Sequence, residues 1–369
     1  MEGKLFADGI HDDTAALQAL LDQGGEVYFP SGKYLVSRPL IIRANTHLRA
    51  ARGAHLRLAD GANCSLLDNE GLYTRTPDVN ITVEGGIWDG NHANQSRVMI
   101  ENENAPCDEQ IYIGNSLLVL LMRFVHTQRL TLRDITFRDP TSYALHVADA
   151  TYFNIENTTL DFDLSKPNMD GVHIQGPARF GRITNVTGNA NDDHIALCTN
   201  GTVRSEITSG PIEDVDIDGL YCDNGYTGVR LLSCGEPLRN VNIRNIHGDF
   251  RFYAVSFTHH YPLRDKPPVL ENITVSNCTV SKSRGDFPPV HRKPSLGQPL
   301  FFMEKGCRIR NVEFRNITRH ERNPETLAAT FLIEEGAEAA DIRIRGLRET
   351  FCGETAPTLR NPGGADIDI

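Results

Sequence analysis

One short pattern recurs along this chain of 369 residues: apolar or β-branched residues alternate with polar ones, and the run closes on Asn, Asp or Gly. Alternation with a period of two between turn residues is typical of β-strands. Eight segments carry the pattern, at 130–137, 153–160, 181–187, 215–221, 241–247, 273–279, 312–318 and 342–347. Their marker residues, 23 to 39 residues apart, are Asp134, Asn157, Asn185, Gly219, Asn245, Asn277, Asn316 and Gly346. Repetition at such a period indicates a solenoid.

A second series of apolar strands interleaves with the first, at 143–147, 170–174, 194–198, 228–232 and 254–258. Each coil thus contributes two recognisable strands, and a third is implied. Leucine-rich and ankyrin arrays have tighter periods and long helical stretches, whereas nearly every segment here alternates with period two. The sequence therefore predicts an all-β fold, a single-stranded right-handed parallel β-helix.

The two ends of the chain differ from the coils. Near the start, Asp12 or Asp13 precedes TAALQALLD, whose apolar residues have helical spacing. This helix is expected to cap the open end of the solenoid, where it would cover apolar side chains and an unpaired strand edge. We expect one domain over 1–369, with the cap and first strands in 1–45, coils in 46–348 and a loop-like tail in 349–369.

Charge and composition exclude several partners. The formal net charge is −11 and no run of Lys or Arg occurs, so neither nucleic acid nor an anionic membrane surface is expected to bind. The N-terminus, MEGKLFADG, lacks the basic end and apolar run of a signal peptide. A cytoplasmic location is the expectation, with secretion left open for a trimmed chain. Eight cysteines without any CxxC favour free thiols over a zinc site or a disulfide framework.

Aligning the second strand series by its inward apolar residues brings polar side chains into two columns. One outward column contains His146, His173, Ala196, Arg230 and Ser256. The column three residues earlier contains Tyr143, Asp170, Asp193, Thr227 and Tyr253. The alignment predicts that the two aspartates are neighbours on adjacent coils.

These carboxylates suggest chemistry. Parallel strands lie about 4.8 Å apart, so Asp170 and Asp193 repel, and the pKa of at least one should rise unless a cation or hydrogen bonds compensate. Asp192 brings a third carboxylate to the same edge. Glycoside hydrolysis needs one protonated acid and one ionised base, which this trio can supply. A single Asp more often caps a strand or forms a turn, but three that converge from two coils favour a site.

Basic residues flank the acids. His146 and His173 are candidates for binding a sugar or carrying a proton, and solvated ladder positions are the alternative. His194 is a stronger candidate because it adjoins the acids. Arg230, one coil beyond them, suits a carboxylate, hydroxyl or sulfate of a substrate.

Two regions resemble known proteins. The opening, DGIHDDTAALQALLDQGGEVYFPSGKYLV, resembles the N-terminal cap of pectate-lyase-like hydrolases and phage tailspikes. NMDG (168–171) and NDDHIAL (191–197) are similar to the N-T-D and G-D-D motifs of glycoside hydrolase family 28, the polygalacturonase group of the pectin-lyase-like β-helix superfamily. The resemblance implies that Asp192 is the general acid and that Asp170 and Asp193 hold and activate the attacking water. It also implies an inverting displacement that needs no metal and no cofactor.

TGVRLL (227–232) resembles the segment with the R-I-K motif of the family, which puts Arg230 in the substrate-binding arginine position. The lysine position holds Leu232, and the G-H-G motif expected in the coil after the paired acids is absent. The leading hypothesis is an inverting glycoside hydrolase acting on a plant-cell-wall or related poly- or oligosaccharide, with uronic-acid sugars the leading class. The alternatives are a β-helix polysaccharide lyase or epimerase, and a non-catalytic glycan-binding protein or phage-type adhesin. The oligomeric state is left open.

Overall fold

The computed structural model describes residues 4–96, 120–200, 208–259, 266–284 and 297–369. Within these ranges, twenty-four strands hydrogen-bond into one sheet, and the ladders between them are parallel. In the parts of the chain just given, α-helix is confined to two short segments. The architecture is a nearly all-β parallel solenoid, as predicted.

The elements up to the first long coils are β1 (Asp8–Asp12), α1 (Thr14–Leu21), β2 (Gly25–Phe29), β3 (Gly32–Val36), β4 (Leu40–Ile42), β5 (Thr46–Leu58), β6 (Leu67–Asn69), α2 (Gly71–Thr74), β7 (Asp78–Asp89), a 3₁₀ turn (His92–Asn94), β8 (Met122–Arg133) and β9 (Thr136–Arg138). The central coils contain β10 (Leu145–Asp161), β11 (Val172–Gly188), β12 (Asp193–Cys198), β13 (Ile212–Gly225), β14 (Thr227–Leu232), β15 (Pro237–Phe250) and β16 (Val255–Thr258). The last elements are β17 (Val269–Lys282), β18 (Phe301–Met303), β19 (Arg308–Glu321), β20 (Phe331–Ile333), β21 (Glu338–Arg345), β22 (Arg348–Phe351), β23 (Leu359–Arg360) and β24 (Ile367–Asp368).

One apolar core runs along the inside of the coils. The inward residues of the second strand series stack in register, from Leu145 through Val172, Ile195 and Val229 to Val255. All five are completely buried. Because each coil repeats the same inward positions, its neighbours cover the apolar side chains above and below, and the outward positions remain available for a site.

The repeat markers are the residues at which the chain bends. All eight have positive φ, from 52° at Asn157 to 91° at Gly219, and Asn and Asp adopt this conformation more readily than other residues with a side chain. Their side chains also join coils: Asn157 Nδ2 donates to Asp134 Oδ1 (2.9 Å), and Asn185 Nδ2 donates to Asn157 Oδ1 (3.0 Å). In the first marked copy, β8 and β9 lie on either side of Asp134. The segment after the marker therefore supplies the implied third strand.

The N-terminal helix is present where the sequence predicted it. Leu17 and Leu21 on α1 are buried in the core. Asp12 Oδ1 accepts a hydrogen bond from the Thr14 N–H at 2.9 Å, whereas the Asp13 carboxylate accepts bonds from residues before the helix. Three expectations stay predictions. They are that α1 closes the end of the solenoid, that the solenoid is right-handed, and that residues 1–369 form one domain.

The C-terminal tail departs from the expectation of a loop. β22, β23 and β24 extend the ladders of β19, β20 and β21. Without these strands the last coils would expose unpaired backbone N–H and C=O groups. Strands of two to four residues are too short to show an alternating pattern, which is why the sequence did not predict them.

Seven of the eight cysteines lie in the described ranges. Cys64, Cys198, Cys222, Cys234, Cys278, Cys307 and Cys352 are free thiols, while Cys107 lies outside those ranges. Neither α1 nor α2 is long and apolar enough to cross a membrane.

Candidate active site

The first predicted column lies on β10, β11, β12, β14 and β16, and the second lies at the first residue of these strands or two residues before it. We call the two columns together the site face. Strand register pairs His146 with His173, and Asp193 with Thr227. The Gly171 N–H donates to Asp193 O at 2.9 Å, so the residue before Gly171 lies beside Asp193 on the adjacent coil. The predicted register of the columns is confirmed.

The carboxylates of Asp170, Asp192 and Asp193 converge on the site face. One oxygen atom of each lies within 4.8 Å of the others. Asp170 and Asp193 are each 3% exposed, and Asp192 is half-buried. Three carboxylates this close repel one another when all are ionised, which favours retention of a proton on one member of the group.

Each carboxylate has a different neighbour. His173 Nδ1 lies 2.8 Å from Asp170 Oδ2, and Asn168 Nδ2 donates to Asp192 Oδ2 at 3.4 Å. Arg230 Nη1 lies 3.6 Å from an Asp193 oxygen. Opposite charge and hydrogen bonds favour the ionised form of a carboxylate. These unequal surroundings can give the acids different protonation states, which acid–base catalysis requires.

His146 and His173 are two buried residues of the site face whose rings lie close together. The ring of Tyr143 stacks on His173 at 4.3 Å between centroids, and His146 lies 5.6 Å from His173. His146 Nε2 lies 3.0 Å from Gln175 Oε1. Burial lowers the pKa of His146 from 6.5 to about 3, and the adjacent His173 adds to the shift. His146 is therefore neutral at pH 7 and acts through hydrogen bonding rather than charge.

The structure corrects the expectation for His194. The side chain is completely buried. Its Nδ1 lies 2.8 Å from Thr227 O, and its Nε2 is 3.1 Å from the Ala190 N–H. Although His194 adjoins the acid pair in sequence, both of its ring nitrogens are engaged by main-chain atoms. The expectation that it binds substrate is therefore wrong, and His194 instead joins the main chain at Ala190 to that at Thr227.

Three residues near the acids were missed by sequence reasoning. Asn168 is the first residue of NMDG and bonds Asp192 directly. Tyr226 lies close enough to Asp192 and Asp193 for their negative charge to add to burial in raising the pKa of its hydroxyl. Arg251 is completely buried and donates a hydrogen bond to Asn191, the residue before the acid pair. The position of Tyr226, just before the column residue Thr227, was the one signal available for it.

The spacing of the acids bears on their chemistry. Carboxyl groups of inverting glycosidases are typically about 6.5–9.5 Å apart, and those of retaining enzymes about 5–5.5 Å. The closest oxygens here lie within 4.8 Å. Inversion therefore stays an expectation from the resemblance to family 28.

Among the residues that the structure describes, two groups of side chains are close enough together to hold a metal ion. The first is the acid trio itself, whose oxygen atoms suit a hard cation such as Ca²⁺. The second contains His92, Asp139 and Asp163, in which His92 Nε2 lies 2.9 Å from Asp163 Oδ1. Glycoside hydrolysis by carboxylates needs neither ion.

Comparisons with known proteins agree with this architecture. Residues 5–61 match the family model described as rhamnogalacturonase A/epimerase, pectate lyase-like. Plasmin and fibronectin-binding protein A of Streptococcus pneumoniae is 29% identical over 184 residues, which cover 45% of this chain and 24% of that protein. The match thus spans about a quarter of the length of the curated relative.

Two solved structures resemble nearly the whole chain. The surface protein and adhesin PfbA of Streptococcus pneumoniae has a TM-score of 0.64 at 16% identity, with coverage of 98% of this chain and 97% of that one. A family 28 exopolygalacturonase of Yersinia enterocolitica has a TM-score of 0.64 at 15% identity, with coverage of 98% and 76%. The chain has a pectate-lyase-like β-helix fold. At these identities the likeness shows the fold alone.

The fold also locates the departures from the family 28 pattern. β14 pairs directly with β12, so TGVRLL occupies the coil that follows the paired acids. The resemblance expects the G-H-G motif in that coil, so the same segment cannot hold both motif positions, and its match to R-I-K stays an expectation. Leu232, which this match places at the lysine position, is 6% exposed. Within the two columns of the site face, Arg230 is the residue that carries a permanent positive charge.

The buried histidines predict a pH-dependent stability. Burial lowers the pKa of His194 from 6.5 to about 4, and that of His146 to about 3. As pH falls below about 6.5, the unfolded chain binds protons that these folded imidazoles do not, so the free energy of unfolding should fall by about 1.4 kcal/mol per pH unit per histidine. Urea unfolding from pH 7 to pH 5 measures this slope. His146→Gln should reduce the slope by the contribution of one histidine. An unchanged slope in this variant would contradict the lowered pKa of His146 in the folded protein.

Proposed function

We propose that this protein is a glycoside hydrolase that acts on a plant-cell-wall or related poly- or oligosaccharide. The observation that carries the proposal is the convergence of Asp170, Asp192 and Asp193 from two coils to within 4.8 Å. Arg230, 3.6 Å from Asp193, supplies a positive charge at the same place. Uronic-acid sugars are the leading substrate class because a guanidinium can bind a sugar carboxylate.

In the proposed reaction, Asp192 donates a proton to the glycosidic oxygen as the bond from that oxygen to the anomeric carbon breaks. Asp170 and Asp193 hold a water molecule, which forms the new bond to the anomeric carbon and gives up a proton to one of them. The displacement is direct and inverts the anomeric configuration. Asp192 loses one proton to the departing oxygen and Asp170 or Asp193 gains one from the water, so the total number of protons on the enzyme is unchanged by the displacement.

Lyase or epimerase chemistry is the first alternative, because the matching family model also names an epimerase. Such reactions abstract a proton beside a uronate carboxylate and need a base. Burial raises the pKa of the Tyr226 and Tyr253 hydroxyls, and both therefore stay protonated at neutral pH. The two site-face columns contain no lysine, but they include His146, whose neutral imidazole can accept a proton. We favour hydrolysis because the three converging carboxylates can supply both the acid and the base that this reaction needs.

Adhesion without catalysis is the second alternative. It is supported by the 29% identity to plasmin and fibronectin-binding protein A over 184 residues. In that case the acids and Arg230 would bind a glycan without cleaving it. A protein that only binds a glycan would gain little from three carboxylates that repel one another, because a single ionised acid can accept the same hydrogen bonds. We therefore favour catalysis.

A glycan panel with proton NMR of the products tests the proposal. Hydrolysis is expected to release reducing sugars, and the first product detected should have the inverted anomeric configuration. Unsaturated products that absorb in the ultraviolet would instead establish a lyase. A change in sugar configuration without cleavage would establish an epimerase, and binding without any product would establish an adhesin.

A further inference from the structure

Arg251 directly follows β15 and is completely buried. Its Nη1 donates to Asn191 Oδ1 at 2.8 Å, its Nη2 to Ala190 O at 3.0 Å, and its Nε to Asn224 O at 3.3 Å. All three guanidinium nitrogens therefore bond to residues of preceding coils. A buried cation with this many directed bonds holds its partners in one geometry.

Asn191 passes this restraint on to a second loop. It is completely buried and directly precedes Asp192. Its Nδ2 donates to Leu164 O at 2.9 Å and to Lys166 O at 2.6 Å. Those two carbonyls belong to the segment that leads into NMDG. One guanidinium and one amide thus join the loop with two of the acids to the loop with the third.

Arg251 is itself held in place. Lys282 is completely buried, and its Nζ donates to Phe252 O at 2.5 Å and to Arg251 O at 3.3 Å. The Arg251 guanidinium lies 5.5 Å from the centroid of the Tyr226 ring. Burial lowers the pKa of Arg251 to about 10, and the charge of Asp192 opposes the shift, so the side chain remains a cation at neutral pH.

We propose that Arg251 is a positioning residue that acts through Asn191 to set the position of Asp192 relative to Asp170. The inference rests on the proposed hydrolase function. Arg251 has no contact with substrate in this role. Its effect is on the distance and orientation between the proton donor and the water-holding acid, which changes catalysis much more than ground-state binding.

Arg251→Lys tests the proposal because it keeps the charge but cannot reproduce three bonds in a planar fork. We expect kcat to fall about 10- to 100-fold, the effect of a small misplacement of catalytic groups, while KM changes little. The matched control is Arg319→Lys. Arg319 is also completely buried, and it bonds Glu321, Ala328 and Thr330, away from the acids. Loss of kcat in both variants, or in neither, would overturn the proposal.

Asn191→Asp is a second variant, for use if Arg251→Lys does not fold. It retains an oxygen atom for Arg251 but lacks the N–H groups that reach Leu164 O and Lys166 O. A folded Asn191→Asp protein with wild-type kcat would contradict the proposal, whereas a selective loss of kcat would support it.

A measurement without substrate separates this inference from the proposed function. The carboxyl carbon signals of labelled aspartates are followed by NMR through a pH titration of the folded proteins. Arg251→Lys should shift the titration of Asp192, and Arg319→Lys should not. If the wild-type protein cleaves no glycan, the proposed function fails while this titration still decides the role of Arg251. An Asp192 titration that is the same in all three proteins would overturn that role.

Discussion

Asp192→Asn should lower kcat by about 10²–10⁴-fold, the usual contribution of a general acid, with little change in the free energy of unfolding. Asparagine has nearly the same shape as aspartate and can keep the contact with Asn168 at 3.4 Å. It cannot donate a proton to the departing glycosidic oxygen in the way a carboxylic acid does. Initial rates on the best glycan of the panel, together with urea unfolding of both proteins, measure the two effects separately.

The control for this loss is Asp216→Asn. Asp216 is a partly exposed acid on β13 whose Oδ1 accepts a bond from Asn242 at 2.9 Å. It lies on a strand of the same solenoid but outside the columns of the site face, so its activity should equal that of the wild type. Full activity in Asp192→Asn would remove the general acid from the proposed mechanism. An equal loss in both variants would show a general effect on the fold.

The sequence predicted the site face because the chemistry of that face follows strand periodicity. Side chains alternate between inside and outside within a strand, and adjacent coils repeat equivalent positions in register. Once Val172 and Ile195 were aligned as inward residues, the position of Asp170 beside Asp193 followed. The turn markers helped as well, because Asn157 and its equivalents mark the same bend in every coil. Register, fold class and the convergence of the acids could therefore be read from local patterns.

The parts that could not be predicted depend on contacts between segments that are distant in the sequence. His194 adjoins the acids in sequence, but its partners are main-chain atoms at Thr227 and Ala190. Arg251 belongs to a short link between β15 and β16. A lone arginine in such a link usually lies at the surface, and only the preceding coils supply the oxygen atoms that bury it. No local pattern contains those distant contacts.

The largest stability effect should come from a buried ion pair on the first coils. The side chain of Asp68 is completely buried and that of Arg123 is 3% exposed. The Asp68 carboxylate accepts bonds from Arg123, Ser65 and Tyr73. Asp68→Ala removes the carboxylate but leaves the guanidinium in the interior, and breaking a buried pair in this way costs about 3–5 kcal/mol. Urea unfolding should show this loss as a lower midpoint.

Asp161→Ala is the matched control, because it breaks an arginine–carboxylate pair at the surface. Arg138 Nη2 lies 2.6 Å from Asp161, and their side chains are 35% and 53% exposed. Water can solvate Arg138 after the change, so we expect a cost of about 0–1 kcal/mol. The difference between the two variants measures the effect of burial, since both delete the same carboxylate. Equal losses would mean that water reaches Arg123 in the folded protein and that the pair on β6 and β8 is not sealed from solvent.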